Sequence, residues 1–241
     1  MVTKSEKALL PEFPRTRHLP WKPNAVRDDL VASEADCAVI FKELEVYVEE
    51  KVDGANCAMM LQDGHPIIRN RTHILSKGYL KDTPAKVQFR PIWNYFYQNK
   101  NRFQAVNNMV GGPVGIYGEW MYALHGIEYD RLPDLFLAYD IYDPQAGAYL
   151  NTGHTRKLLL EAGFCVPTLL HDGPVEGWAQ LEGFCNEPSP FSSKDRREGV
   201  YVKVCDDYRV LHRFKMVRAD FTQGCKWNED SITKNTLETR R

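Results

Sequence analysis

No run in this chain of 241 residues approaches the roughly 18 to 20 consecutive apolar residues of a membrane span. The opening MVTKSEKALLPEF lacks the apolar stretch of a secretory signal, so a cytoplasmic protein without membrane contact is the expectation. An excess of charge of either sign is also missing. The 31 Lys and Arg against 32 Asp and Glu leave a formal charge of -1, which excludes a uniformly basic protein but not a local basic patch. Cysteines 37, 57, 165, 185, 205 and 225 stand singly, with no CxxC pair and no histidine at zinc-ligand spacing, and read as reduced structural thiols. The seven histidines form no triad or metal spacing, and there is no internal repeat or low-complexity tract. At this length one large domain can form a core without staples.

What the sequence does contain is a succession of strands. In EVYVEEKV, Val46 and Val48 alternate with Tyr47 and Glu49, the period-two mark of a strand that ends at Lys51. CAMML and HPIIRNR, joined by Gln62-Asp63-Gly64, predict a hairpin, because Asp-Gly favours the primed turns. GIYGEWMYA and LFLAYDIYD are two further strands, and GVYVKV with YRVLHRFK, around Asp206-Asp207, a second hairpin. Helices are expected from Thr83-Pro84 toward Phe103 with a disturbance at Pro91, over HTRKLLLEAG as far as Gly163, and over VEGWAQLEGF. The class is α+β, with mostly antiparallel sheets and flanking helices. Residues 1–40, Pro-rich and basic, read as an extended arm; 41–218 form the main domain and 219–241 a short tail.

Chemistry concentrates at Glu50-Lys51-Val52-Asp53-Gly54-Ala55-Asn56. A neutral lysine amine can attack an electrophilic phosphorus, and Gly54 lets the chain turn closely beside it. KxDG alone arises by chance in about 5% of chains this long, so alone it favours a solvated surface lysine. Further elements then follow in order, each on a predicted strand or its end: Arg71, Gly118-Glu119, Tyr139-Asp140, Glu198-Gly199 with Lys203, and Arg213-Phe214-Lys215. From Lys194 to Arg218 eight Lys and Arg face four Asp and Glu.

Over residues 45–218 this series resembles the covalent nucleotidyltransferase superfamily of ATP-dependent ligases and capping enzymes. Lys51-Val52-Asp53-Gly54 is similar to its motif I, Gly118-Glu119 to motif III, Tyr139-Asp140 to motif IIIa, Glu198-Gly199 with Lys203 to motif IV, and Arg213-Phe214-Lys215 to motif V. DNA ligases and capping enzymes usually carry Arg five residues after the nucleophile, whereas RNA-repair and RNA-editing ligases often carry Asn. Asn56 therefore favours an RNA ligase, and FPRTRHLP resembles a stretch that precedes the nucleophile in small RNA ligase-like proteins.

The resemblance implies a ligase adenylation domain, ATP-grasp-like in fold, using ATP as co-substrate with Mg²⁺ or Mn²⁺ and acting on RNA that bears 5'-phosphate and 3'-hydroxyl ends. Lys51 would be the nucleophile, with Lys203 and Lys215 stabilising charge at the phosphates rather than holding the fold. Those lysines, Arg213 and a divalent cation would lower the Lys51 pKa. Glu50, through nearby backbone, would read the base; Glu119 would bind the ribose, Tyr139 would stack on the adenine, and Asn56 and Arg71 would contact ribose or phosphates. Glu198 would hold the metal directly or through water. Asp53 and Asp140 receive no firm role. RNA would lie on the basic stretch and on Arg15, Arg17 and Lys22 of the arm. A partner protein could supply further specificity. Two alternatives stand beside this reading: a capping guanylyltransferase or DNA ligase, which should carry an OB domain after motif V where only 23 residues follow Arg218, and a catalytically silent RNA-binding module, disfavoured because the lysines and glutamates of the chemistry are all present.

Overall fold

A computed structural model of the chain describes residues 4–20, 30–42, 45–76, 87–222, 224 and 232–239. Two five-stranded sheets face each other. In the first, β1 (Arg17–His18), β2 (Val46–Lys51), β8 (Leu169–Asp172), β9 (Gly199–Cys205) and β10 (Val210–Val217) are ordered β1-β10-β9-β2-β8. In the second, β3 (Ala55–Gln62), β4 (His65–Asn70), β5 (Gly115–Trp120), β6 (Phe136–Asp143) and β7 (Ala148–Tyr149) are ordered β4-β3-β5-β6-β7. Every pairing is antiparallel except β1 on β10. The α+β class expected from the patterning is what the chain adopts.

Alternation along the strands creates two unlike faces. In the first sheet Val46, Val48, Val200, Val202, Val204, Phe214 and Met216 lie in one buried cluster, each contributing roughly 1.5–3 kcal/mol on burial. Helices α1 (Lys4–Leu9) and α2 (Glu34–Cys37), the latter followed by a 3-10 turn over Ala38–Phe41, precede β2. The 3-10 turn, through Ile40, and α6 (Trp178–Asn186), through Leu181 and Cys185, cover this cluster. Between the two clusters of the second sheet the division is the same. Cys57, Met59, Ile116, Trp120 and Phe136 pack under α3 (Ile92–Gln98), α4 (Lys100–Val110) and α5 (Thr152–Glu161), while Ala58, Met60, Tyr117 and Tyr139 point the other way.

The β3–β4 hairpin turns at Asp63 (φ 49) and Gly64 (φ 80), the positive values of the primed turn that Asp-Gly predicts. The start of the helix expected from Thr83-Pro84 lies outside the described residues; among the described ones the path is broken at Pro91, as expected, and again at Asn99, so that two helices run from Ile92 to Val110. Pro91, which lacks an N–H, caps α3; Asn99 (φ -108, ψ 12) interrupts the path; and α4 runs beyond Phe103 to Val110.

Residues 1–40, expected to be extended, carry α1, β1, α2 and the start of the 3-10 turn among their described residues, and residues 10–19 run from the second sheet to the edge of the first. The Leu10 carbonyl accepts from Arg69 Nη1 at 2.7 Å, Phe13 packs on Tyr117, Tyr139 and Tyr149, and Arg17–His18 extend the first sheet. Lys22 lies outside the described residues. Residues 232–239 run along residues 121–132, with bridges at Ala123–Lys234 and Leu132–Leu237. Among the described residues no helix is long and apolar enough to cross a membrane, and the cysteines are free.

Candidate active site

The strand registers bring the polar faces of the two sheets together. Lys51 ends β2 opposite Gly199, Tyr201 stands between Glu49 and Lys215, and Lys203 between Tyr47 and Arg213. Across the cleft Asn56 pairs with Glu119. The Lys51 ammonium donates to Glu198 Oε2 at 2.6 Å and lies 5.6 Å from the Tyr201 ring centroid. Two glycines make this approach possible. A Cβ on Gly54 would come within 2.9 Å of Glu119 and of the Trp120 carbonyl, and one on Gly199 would lie 2.0 Å from the Met216 carbonyl oxygen.

The electrostatics at Lys51 differ from the expectation. Burial favours its neutral amine, but the charges of Glu198, Tyr201 and Glu119 outweigh burial and hold the pKa above the ordinary lysine range. Of the cations expected to lower it, Lys203 is committed to Glu49 and Asp140. Burial, reinforced by neighbouring carboxylates, pushes Glu119 up to about 8, and Glu198 is pushed up to about 7 by burial although Lys51 opposes it.

Lys203 shows the largest departure. Its ammonium is enclosed, with Glu49 Oε2 at 2.7 Å, the Tyr139 carbonyl at 2.9 Å and Asp140 Oδ1 at 3.2 Å. Three acceptors match the three donors of an ammonium, so none is left for a phosphate. The expectation that Lys203 serves the phosphates and not the fold is thereby corrected. Glu49 is held as well by Arg156 Nη1 at 2.5 Å, and Asp140, wholly buried, faces Arg213 Nη2 at 3.4 Å. Arg213 lies against the rings of Tyr149 (4.3 Å) and Phe13 (5.5 Å), and its Nε and Nη2 have no hydrogen-bond partner among the described residues.

Of the remaining candidates, Tyr139 is nearly covered, its hydroxyl accepting from Asn56 Nδ2 and its ring centroid 6.3 Å from that of Tyr201. Glu50 turns its side chain away from the cleft, where Ser189 Oγ donates to it at 2.5 Å, so only its backbone borders the site. Asp53 accepts from the backbone N–H groups of Gly126 (2.5 Å) and Ile127 (3.1 Å). Arg71 is exposed beyond the end of β4, near enough for its charge to act on the Tyr201 phenol; Lys215 acts likewise on Glu198.

Residues 44–217 match the family model described as RNA ligase. The chain belongs to the RNA ligase family. A search of curated proteins finds no match. Among solved structures, the Naegleria gruberi RNA ligase with PPi matches at a TM-score of 0.55 and 20% identity over 75% of this chain and 52% of that one. A lysine-to-alanine variant of the same enzyme, solved with ATP and Mn, matches at a TM-score of 0.56 and 17% identity over 87% and 56%. A lysine-to-methionine variant with AMP and Mn matches at 0.55 and 18% over 87% and 56%. The present chain thus spans little more than half of those proteins, and the likeness establishes the shared fold.

For this RNA ligase family member, the donor set bears on a metal. Among the described residues no group of three or more His, Cys, Asp or Glu could by itself hold an ion. Glu198 and Glu119, both in the site and close enough to act on each other, suit an ion that takes one or two carboxylates and completes its shell with water and phosphate oxygens. The basic stretch is less free than its composition suggests. Lys194, Arg196, Arg197, Lys203, Arg209, Arg213 and Arg218 each have a carboxylate within 3.4 Å. Glu49, Arg156 and Tyr201 escaped sequence reasoning. For Glu49 and Tyr201 the available signal was strand alternation with Lys51 and Lys203; Arg156, on a helix 107 positions from Glu49, offered none.

Proposed function

We propose that this chain is the adenylation module of an ATP-dependent RNA ligase that works through a covalent lysyl-AMP. Lys51 Nζ attacks the α-phosphorus of ATP, forming a P–N bond as the bond to the bridging oxygen breaks and pyrophosphate leaves. The AMP then passes to an RNA 5'-phosphate, and a 3'-hydroxyl displaces it to form the phosphodiester. The observation that carries this reading is the largely buried Lys51–Glu198 pair at 2.6 Å, beside Glu119 and Tyr201.

Lys51 must exchange Glu198 for the phosphate and shed a proton before it attacks, because a protonated amine has no lone pair. Lys215, and Arg213 through donors that the fold leaves unused, would face the phosphates; Arg71 would approach from the rim. Glu119 and Asn56, paired across β3 and β5, would take the ribose, and Tyr139 with Tyr201 would border the base. Glu198, directly or through water, and Glu119 are the groups that would hold Mg²⁺ or Mn²⁺. Such an ion would neutralise phosphate charge as pyrophosphate departs. Lys203 and Asp140 support the floor beneath these groups.

Incubation with ATP labelled on the α-phosphate and a divalent cation, followed by denaturation, tests the reading. The label is expected to stay with the protein, to be acid-labile, and to vanish in a folded Lys51→Ala variant. Label that survives this substitution, or that maps to another lysine, would refute the mechanism.

A further inference from the structure

The C-terminal segment is tied to the nucleophile loop through a short series of buried contacts. Asn235, nearly buried, donates through Nδ2 to the carbonyls of Met121 (2.8 Å) and Ala123 (3.1 Å), and its Oδ1 accepts from the Tyr129 N–H at 3.2 Å. The Thr236 N–H donates to the Tyr129 carbonyl at 2.9 Å, so Tyr129 is held on both sides of its peptide unit. Its hydroxyl in turn accepts from the Asp53 N–H at 2.8 Å. The Asp53 carboxylate closes the circuit on Gly126 and Ile127, within the same segment that Asn235 organises.

Asp53 is two residues from Lys51, and everything between is buried or half-buried. A chain of hydrogen bonds among buried groups has few alternative arrangements, because each donor left without its acceptor would carry an uncompensated desolvation cost. Position is therefore transmitted from the C-terminal segment to the residue that must present its amine in line with the leaving group. Tyr129 is wholly buried and Asn235 nearly so.

We infer that Asn235 and Tyr129 act as one positioning unit for Lys51, a clasp formed by the C-terminal segment on residues 121–132 that fixes the nucleophile loop for adenylylation. This inference rests on the lysyl-AMP reading for its kinetic consequence, and on the hydrogen bonds alone for its structural one.

Three variants test it: Tyr129→Phe, which removes only the hydroxyl, Asn235→Ala, and the two together. The rate of label transfer at saturating ATP should fall about ten- to hundredfold in each single variant, the scale expected when a reacting group is displaced by about 1 Å. The ATP concentration giving half the maximal rate should change less than twofold. The double variant should be no slower than the slower single one, because both substitutions break the same path. A single variant that labels at the wild-type rate, losses that multiply in the double variant, or a change confined to ATP affinity would overturn the inference. Amide exchange provides the second measurement and needs no activity. In Tyr129→Phe, and in Asn235→Ala if it folds, exchange at Asp53, Gly126 and Ile127 should speed up while β2 and β9 keep their protection. Unchanged exchange there would also overturn the inference. Absence of label in the wild-type protein would instead refute the lysyl-AMP reading, and the exchange data would still decide the clasp.

Discussion

Replacing Lys203 with alanine should act on stability before it acts on chemistry. The substitution removes the cation between Glu49 and Asp140, both almost wholly buried, together with the hydrogen bond to the Tyr139 carbonyl. Removing one partner of a buried ion pair typically costs about 3–5 kcal/mol. Here Arg156 stays on Glu49 at 2.5 Å and Arg213 faces Asp140 at 3.4 Å, so each carboxylate retains one cation. The cost should accordingly fall at the lower end, about 3 kcal/mol. Urea unfolding at neutral pH, followed by tryptophan fluorescence, measures it directly, and Lys203→Met separates lost charge from lost volume. Both variants should unfold earlier by a similar amount, and label transfer under conditions where they remain folded should be less affected than stability. An unchanged unfolding midpoint combined with a large loss of label transfer would refute the reasoning and return Lys203 to the phosphates.

Gly199→Ala must force Met216 aside, since the added Cβ would meet that carbonyl at 2.0 Å; unfolding should show a loss of up to about 3 kcal/mol, and an unaltered midpoint would mean that β10 yields freely. Because burial raises Glu119 from its ordinary value to about 8, the folded state binds a proton that the unfolded chain has released, so this contribution to stability is full below about pH 4.5 and declines as pH rises to about 8. Thermal unfolding of Glu119→Gln across that window should be flatter by up to about 1.4 kcal/mol per pH unit, and an identical slope would show that Glu119 ionises normally. Label transfer should tolerate a rise from about 50 to 200 mM salt while joining of a nicked RNA duplex falls roughly tenfold or more, as phosphate neutralisation requires; salt-indifferent joining would point to RNA contacts of another kind.

Much of the fold was legible because its signals are local. Val46 and Val48 alternate with polar residues, Asp63-Gly64 supplies the positive φ of a hairpin, and HTRKLLLEAG carries a helix as far as Gly163, although the structure starts it two residues earlier, at Thr152. Lys51, Glu119 and Glu198 were legible through their order along the chain, and the structure assembles them in one place. What could not be read depends on contacts between distant segments. The two-residue β1 and β7 are too short to show periodicity, and the parallel union of β1 with β10 has no sequence signature. Whether Lys203 faces phosphate or carboxylate is decided by Glu49 on a neighbouring strand and Asp140 on the opposite sheet, so spacing within the EGVYVK segment is silent on it. Asn235 lies in the segment expected to be a short tail, and no local pattern marks it, because the carbonyls it satisfies are more than 100 positions away.

The ion pair that joins Lys51 to Glu198 spans 147 positions, and the sheet that carries it interleaves β2 with strands from both ends of the chain. Local hairpins such as β3–β4 can close early, but β2 cannot find β9 until almost the whole chain is available, and closures over such separations are slow. Lys51 and Glu198 therefore meet late in folding. A nascent or partly folded chain would expose Lys51 as an ordinary solvated amine, without Glu198 and Glu119 beside it. On the lysyl-AMP reading, reactivity toward ATP would then appear only once β2 and β9 have paired.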